Sequence, residues 1–295
     1  MASLRAYIGA WMVRRNVRAR LGAMDDIAQV RRIFDGATFP DPPAATYEAG
    51  SLGGVAGEWV RPRSGDSLRL FYIHGGGFVA CSPKTHRPVT GGLAARGFTV
   101  FAPDYRLAPE NPFPAGRDDA LAAWCAFAEG GPACIAGDSA GGNLALAVML
   151  AARDRGLPMP RAAALFSPVT DLAATTGSRV SNALRDAMFN PQSLANLGPM
   201  YLAGHDPRDP EASPIYADPT GLPPLLFHVG EREILRDDSV RMAEKARAHG
   251  VDAIAEVFPV VNHVWQFADH RLPEARRSLD TAAAFMRRHA GAGRA

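Results

Sequence analysis

Ala133-Cys134-Ile135-Ala136-Gly137-Asp138-Ser139-Ala140-Gly141-Gly142 is a short apolar run that ends in a serine set between glycines. The run reads as a buried strand. The alanine-rich stretch Leu144–Ala152 after it reads as a strong helix former, closed by Gly156 and Pro158. Between them, Gly137-Asp138-Ser139-Ala140-Gly141 has the form G-x-S-x-G. On a sharp strand-to-helix turn this pentapeptide would leave Ser139 strained and exposed, and its glycines would let backbone approach backbone closely. The helix amino terminus would favour negative charge developing beside Ser139. Taken alone, the pentapeptide also fits a plain turn with a capping serine. Its force comes from the strand before it and the helix after it.

The same alternation extends in both directions. Leu68–Ile73, Thr99–Ala102 and Ala163–Phe166 read as further short strands, with helix-like stretches near 87–96, 115–128 and 140–155. After an interruption it resumes with strand Leu225–Val229, a helix about 238–249, strand Ala253–Phe258 and a last helix about 273–289. Such alternation predicts an α/β fold, a mostly parallel central sheet with crossover helices on both faces. Residues 1 to about 43 read as helical. Leu4, Ile8, Trp11 and Met12 form a stripe at helical spacing, and a second helix runs from about Asp25 to Phe34 before Pro40-Asp41-Pro42-Pro43. Residues 181–205 also look helical and break the strand rhythm. The expected organisation is one catalytic domain, 46–180 with 206–295, under a cap built from 1–45 and 181–205.

The bulk numbers narrow the classes. At 295 residues, 47% apolar and 21% charged, the chain reads as a globular protein with room for one large core. A formal net charge of +2 gives no argument for nucleic acid or for an electrostatic membrane partner, although Arg14, Arg15, Arg18 and Arg20 cluster near the start. Cys81, Cys125 and Cys134 are an odd number without metal-like spacing, which favours a reducing cytoplasm over a disulfide framework. The apolar run Tyr7–Val13 is brief, runs into Arg14-Arg15 and lacks a small-residue cleavage site, so it does not read as a secretion signal. No stretch is long enough to read as an integral membrane segment.

Serine needs a base at neutral pH. Of the eight histidines, His263 follows the last strand and precedes the last helix, where groups beyond the carboxyl ends of strands meet. His86, His249, His270 and His289 read as solvated side chains in helix-like or surface contexts; His205 lies beyond the cap insertion and His228 inside a strand. A carboxylate must orient the imidazole, and Glu231, Glu233, Asp237 and Asp238 all follow Leu225–Val229. Spacing does not separate them, although Asp237 and Asp238 also suit helix capping. His74-Gly75-Gly76-Gly77-Phe78 closes another strand. With a nucleophile at Ser139, the amides of Gly75, Gly76 and Ala140 are the expected oxyanion donors, and His74 is expected to brace the loop.

These motifs resemble those of the hormone-sensitive-lipase-like esterases of bacteria (family IV), a branch of the α/β-hydrolase superfamily. The resemblance runs from about Leu70 to the last helix. It rests on His74–Gly77 and Gly137–Gly142, on Asp104-Tyr105-Arg106-Leu107-Ala108-Pro109-Glu110 with Pro112-Phe113-Pro114-Ala115, and on Ser213-Pro214 and Leu222-Pro223-Pro224. It implies the α/β-hydrolase fold with a helical cap, hydrolysis of small-molecule esters without cofactor or metal, and pairing into a homodimer through an edge strand. The family's Asp-Pro-Leu-x-Asp segment stands here as Glu233-Ile234-Leu235-Arg236-Asp237, so the resemblance implies Glu233 as the acid, with Asp237 as second choice. It makes Asp104–Glu110 a structural buttress and the first forty residues part of the cap, although a basic, apolar-striped helix could also lie on a membrane surface. A non-catalytic ligand receptor on the same fold would lack a working histidine; His263 argues against that. Amide, carbamate and lactone bonds share the chemistry, and esters of short acyl chains are the default expectation.

Overall fold

The computed structural model describes residues 2–22, 24–36, 39–65 and 67–291. Each apolar run of the central region forms a strand: β3 (Leu68–Ile73), β4 (Phe98–Pro103), β5 (Ala133–Asp138), β6 (Ala163–Phe166), β7 (Leu225–Gly230) and β8 (Ala253–Phe258). They pair in parallel and are preceded by an antiparallel hairpin of β1 (Ala45–Leu52) and β2 (Val55–Pro62). Among the described residues these make one eight-stranded sheet in the order β1-β2-β4-β3-β5-β6-β7-β8.

The inner runs are mostly apolar, rather than alternating, because both faces of the sheet are covered there, while the edge strand β8 leaves Ile254 and Val257 exposed. Side chains leave a strand alternately to either face. In β3, Phe71 and Ile73 enter the core beneath the helices Ala115–Ala128, Ser139–Asp154 and Arg236–Ala248; Leu70 and Tyr72 enter the opposite core with Arg87–Ala94 and Pro273–Gly291. β5 divides in the same way, with Ile135 on the first side and Cys134 and Ala136 on the second.

Two expectations need correction, and one element had no expectation at all. The hairpin β1–β2 was not foreseen, because its strands lie at the sheet edge and carry few buried side chains. Gly53-Gly54, both at positive φ, was the available turn signal. The segment 181–205 is helical only in part: a short turn at Ser178–Ser181, a loop, then the helix Pro191–Leu202. That helix starts on a capping box between Asn190 and Ser193, with Pro191 in its first turn. The helix expected from about 238 begins at Arg236, so Asp237 and Asp238 lie inside its first turn and do not cap it.

At the amino end, Leu4–Val13, Arg14–Arg18 and Ala19–Leu21 run on as one helical stretch, and Ile27–Asp35 follows with Asp26 as its cap. The expected stripe is present but points outward: Leu4, Ile8, Trp11 and Met12 are exposed while Ala6 is buried. Among the described residues no helix is long and apolar enough to cross a membrane.

Candidate active site

Ser139 stands where β5 ends and the helix Ser139–Asp154 begins, at φ +53°. A non-glycine residue there is strained, and the surroundings hold it in place. The flanking glycines are required by contact. A Cβ on Gly137 would lie 2.5 Å from the Gly141 carbonyl oxygen, and one on Gly141 would lie 2.0 Å from that of Ile73. Any side chain at either position would push the elbow off β3.

Ser139 and His263 line the same cavity of about 530 Å³, together with Gly76, Gly77 and apolar side chains such as Val17, Phe34, Phe189 and Leu197. Both residues are buried. His263 Nε2 meets no hydrogen-bond partner among the described residues, so the structure brings Ser139 and His263 to one cavity without a formed bond between them. Such bonds are often long in a hydrolase without substrate. On its other side His263 is tightly held: Nδ1 donates to Glu233 Oε2 at 2.7 Å, and Phe189 packs edge-on against the ring at 4.9 Å.

Glu233 is buried, and its second oxygen accepts from Ser167 Oγ at 2.8 Å and from Gly230 N at 2.6 Å. Its loop is pinned by the segment 178–186. Asn182 Nδ2 donates to the Glu231 and Glu233 carbonyls, Ser178 Oγ donates to that of Ile234, and Ile234 N donates to the buried carboxylate of Asp186. The second-choice acid, Asp237, accepts from Ser178 N at 2.8 Å and from Arg236, and makes no bond to His263. Asp238 accepts from Thr170 N and Asp171 N and braces the loop after β6.

Burial works against a charged His263. The Glu233 carboxylate, with Asp186 and Asp138 farther off, outweighs burial and holds its pKa above the ordinary 6.5. Burial and the neighbouring His86 instead push His74 down to about 3, and burial pushes His228 down to about 3, so both are neutral. His228 packs as expected for a strand residue, against Ser278 Oγ at 2.8 Å. His74 Nδ1 donates to the Gly75 carbonyl and its own carbonyl accepts from Tyr105 Oη, which agrees with bracing.

The glycine loop corrects one assignment. Gly75 N–H donates to Asp138 Oδ1 at 3.1 Å and lies 3.2 Å from His86 Nε2, so it is spent inside the protein and does not face the cavity. Gly76 and Gly77 line the cavity instead, both at positive φ. Ala140 lies in the first turn of its helix, where amides have no intrahelical acceptor.

His86, read from sequence as solvated, is buried beside Asp138, with 3.3 Å between its Nε2 and Oδ2. Asp138 also accepts from Tyr72 Oη at 2.7 Å. Burial alone would raise the Asp138 pKa, but His86 and Tyr72 win and hold it below its ordinary value. Its carboxylate therefore ties the glycine loop to the elbow. Sequence reasoning missed Asp138, His86, Ser167 and Asp186. The one local hint was that Asp138 sits inside the G-x-S-x-G pentapeptide.

A family described as alpha/beta hydrolase fold matches residues 70–267. The chain is 42% identical over 248 residues to an acetyl-hydrolase of Streptomyces hygroscopicus, covering 82% of this chain and 83% of that protein. It is 36% identical over 253 residues to an esterase of Acinetobacter venetianus, covering 84% of each. A crystal structure of an esterase from the bacterial hormone-sensitive lipase family superposes with a TM-score of 0.89 at 36% identity, over 99% of this chain and 100% of that one. The chain belongs to that family. Accordingly it is a serine carboxylesterase with a helical cap region over a mostly parallel sheet. EstE5, whose crystal was soaked with p-nitrophenyl butyrate, superposes with a TM-score of 0.93 at 36% identity, over 98% of this chain and 99% of that one.

Proposed function

We propose that Ser139 is the nucleophile, His263 the general base and Glu233 the acid that orients it, in hydrolysis of short-chain acyl esters. The observation that carries this reading is the 2.7 Å bond from His263 Nδ1 to a buried Glu233, beside a cavity that His263 shares with Ser139. That bond leaves Nε2 as the acceptor available to the serine in the shared cavity. Ser139 Oγ attacks the ester carbonyl as His263 takes its proton. His263 then protonates the leaving alcohol, and water repeats the sequence on the acyl-enzyme. The developing oxyanion is met by the amides of Gly76, Gly77 and Ala140, with Gly77 in the part first expected of Gly75.

The base works only when neutral. Because the His263 pKa lies above 6.5, kcat/KM is expected to rise with pH along a limb whose midpoint is above 6.5. Removing the carboxylate in Glu233→Gln lowers that pKa, so the limb moves to lower pH on a much smaller maximum. A pH–rate profile of both proteins checks the sign: an unmoved or upward-moving limb contradicts the pairing.

The short-acyl preference is supported by the cavity of about 530 Å³ and by the acetyl-hydrolase and the p-nitrophenyl butyrate soak among the relatives. Across p-nitrophenyl esters from acetate to palmitate, kcat/KM is expected to peak at or below hexanoate. A further fall of about tenfold or more by dodecanoate, on the order of the loss of one or two methylene contacts, is expected. Rates that climb through palmitate would refute it.

The cap division at 1–45 and 181–205 is supported by cavity-lining side chains from both segments, Val17 and Phe34 from one and Phe189 and Leu197 from the other. Three free cysteines support a cytoplasmic setting. The exposed Ile254 and Val257 on edge strand β8 support a homodimer paired there, which a one-chain sedimentation mass at micromolar concentration would exclude.

A further inference from the structure

The helix Leu4–Val13 inverts the usual arrangement of a cap helix. A surface helix normally turns its large apolar stripe to the core. Here the small side chains Ala2 and Ala6 pack inward, against the cluster of Phe258 and Trp265. Leu4, Tyr7, Ile8, Trp11 and Met12 face outward with 75, 50, 49, 58 and 50% of their surfaces exposed. Beside them Val180 and Leu184 are 81 and 80% exposed, and Arg14 Nη1 donates to the Leu184 carbonyl at 2.7 Å, joining the two segments into one face. A contiguous exposed apolar patch of this kind marks an interaction surface.

Its charge says what it fits. Arg5, Arg14, Arg15, Arg18 and Arg20 precede the first acidic residue, Asp25. Arg15 lies 5.5 Å from the Trp11 ring centroid and Arg232 lies 5.9 Å from that of Tyr7, while the nearby Glu231 is paired with Arg185 at 3.2 Å. The net charge of the whole chain hides this local excess. The same helical run carries Val13 and Val17 into the lining of the cavity.

We propose that this face docks on the surface of an anionic lipid bilayer and sets the cavity mouth beside it. Trp11 and Tyr7 have the amphipathic rings that settle at headgroup depth, Leu4, Ile8 and Met12 enter the acyl boundary, and the arginines meet anionic headgroups. Apolar esters dissolved in the bilayer then have a short path into the cavity. A second copy of the chain fits less well, since a two-fold contact would bring the same arginine cluster onto itself. The proposal adds a location to the esterase activity and does not depend on the roles assigned to Ser139, His263 or Glu233.

The test is sedimentation of the full chain with vesicles of phosphatidylcholine, alone or mixed with phosphatidylglycerol, together with quenching of tryptophan fluorescence by brominated lipid. Binding to the anionic vesicles is expected to be about tenfold or more tighter than to phosphatidylcholine alone, and to weaken in high salt. Ile8→Ser/Trp11→Ser and Arg14→Glu/Arg15→Glu should each weaken it about tenfold or more, and the first pair should also abolish the quenching, while p-nitrophenyl acetate turnover stays unchanged. Absence of binding to anionic vesicles, or binding that both double variants retain, overturns the proposal. So does a dimer that Ile8→Ser/Trp11→Ser dissociates in a chain that ignores vesicles.

Discussion

Ser139→Ala is expected to lower kcat on p-nitrophenyl acetate by about 10⁴-fold or more, with the circular dichroism spectrum unchanged. The size follows from the chemistry: without the hydroxyl no acyl-enzyme forms, and what remains is attack by water on a carbonyl held among the loop amides. The fold should survive because what fixes the elbow is its backbone. Gly137 and Gly141 leave no room for a side chain between the elbow and β3, and Asp138 holds the glycine loop, whether or not position 139 carries an oxygen. Near wild-type turnover in this variant would remove Ser139 from the mechanism.

The second large effect separates two acids. Glu233→Gln keeps nearly the same shape but turns an amide toward His263 Nδ1, favouring the wrong tautomer, and is expected to cost roughly 10⁴ in kcat with little change in KM. Asp237→Ala removes bonds to Ser178 and Arg236 but nothing from His263, so its kcat should stay within about threefold of wild type, with a stability loss of about 1 kcal/mol in urea unfolding. Kinetics of the two variants side by side decide the matter. A full loss in Asp237→Ala with a mild effect in Glu233→Gln would reverse the assignment.

How much of this could be read from the residues depended on whether the signal was local. The elbow was legible because its requirement is written into the pentapeptide itself: a strand, two small residues and a helix former. Parallel strands were legible because burial on both faces makes them apolar without alternation. The direction in which an amide points is not carried by residue type, so the glycine run could be located while Gly75 was mistaken for a cavity donor. The burial of His86 is set by Asp138 and by packing with Tyr72, fifty-two and fourteen positions away in the chain, and nothing adjacent to it announces that. Likewise a stripe of Leu4, Ile8, Trp11 and Met12 defines a face without saying which way the face turns. The β1–β2 hairpin was missed for a simpler reason: half-exposed edge strands have no apolar run to find, and only Gly53-Gly54 marked their turn.

The acid segment shows what family resemblance adds to physical reading. Four carboxylates follow β7, and spacing left all of them open. Alignment with the family's acid segment singled out Glu233. In the structure Glu233 is buried, bonded to His263 through one oxygen and held through the other by Ser167 and Gly230, which supports that proposal.

The most direct measurement is labelling of the native chain with a fluorophosphonate, followed by intact mass and peptide mapping. One adduct per chain on Ser139 is expected, forming far more slowly in His263→Ala. An unlabelled chain, a label on another serine, or labelling that ignores the loss of His263 would contradict the account.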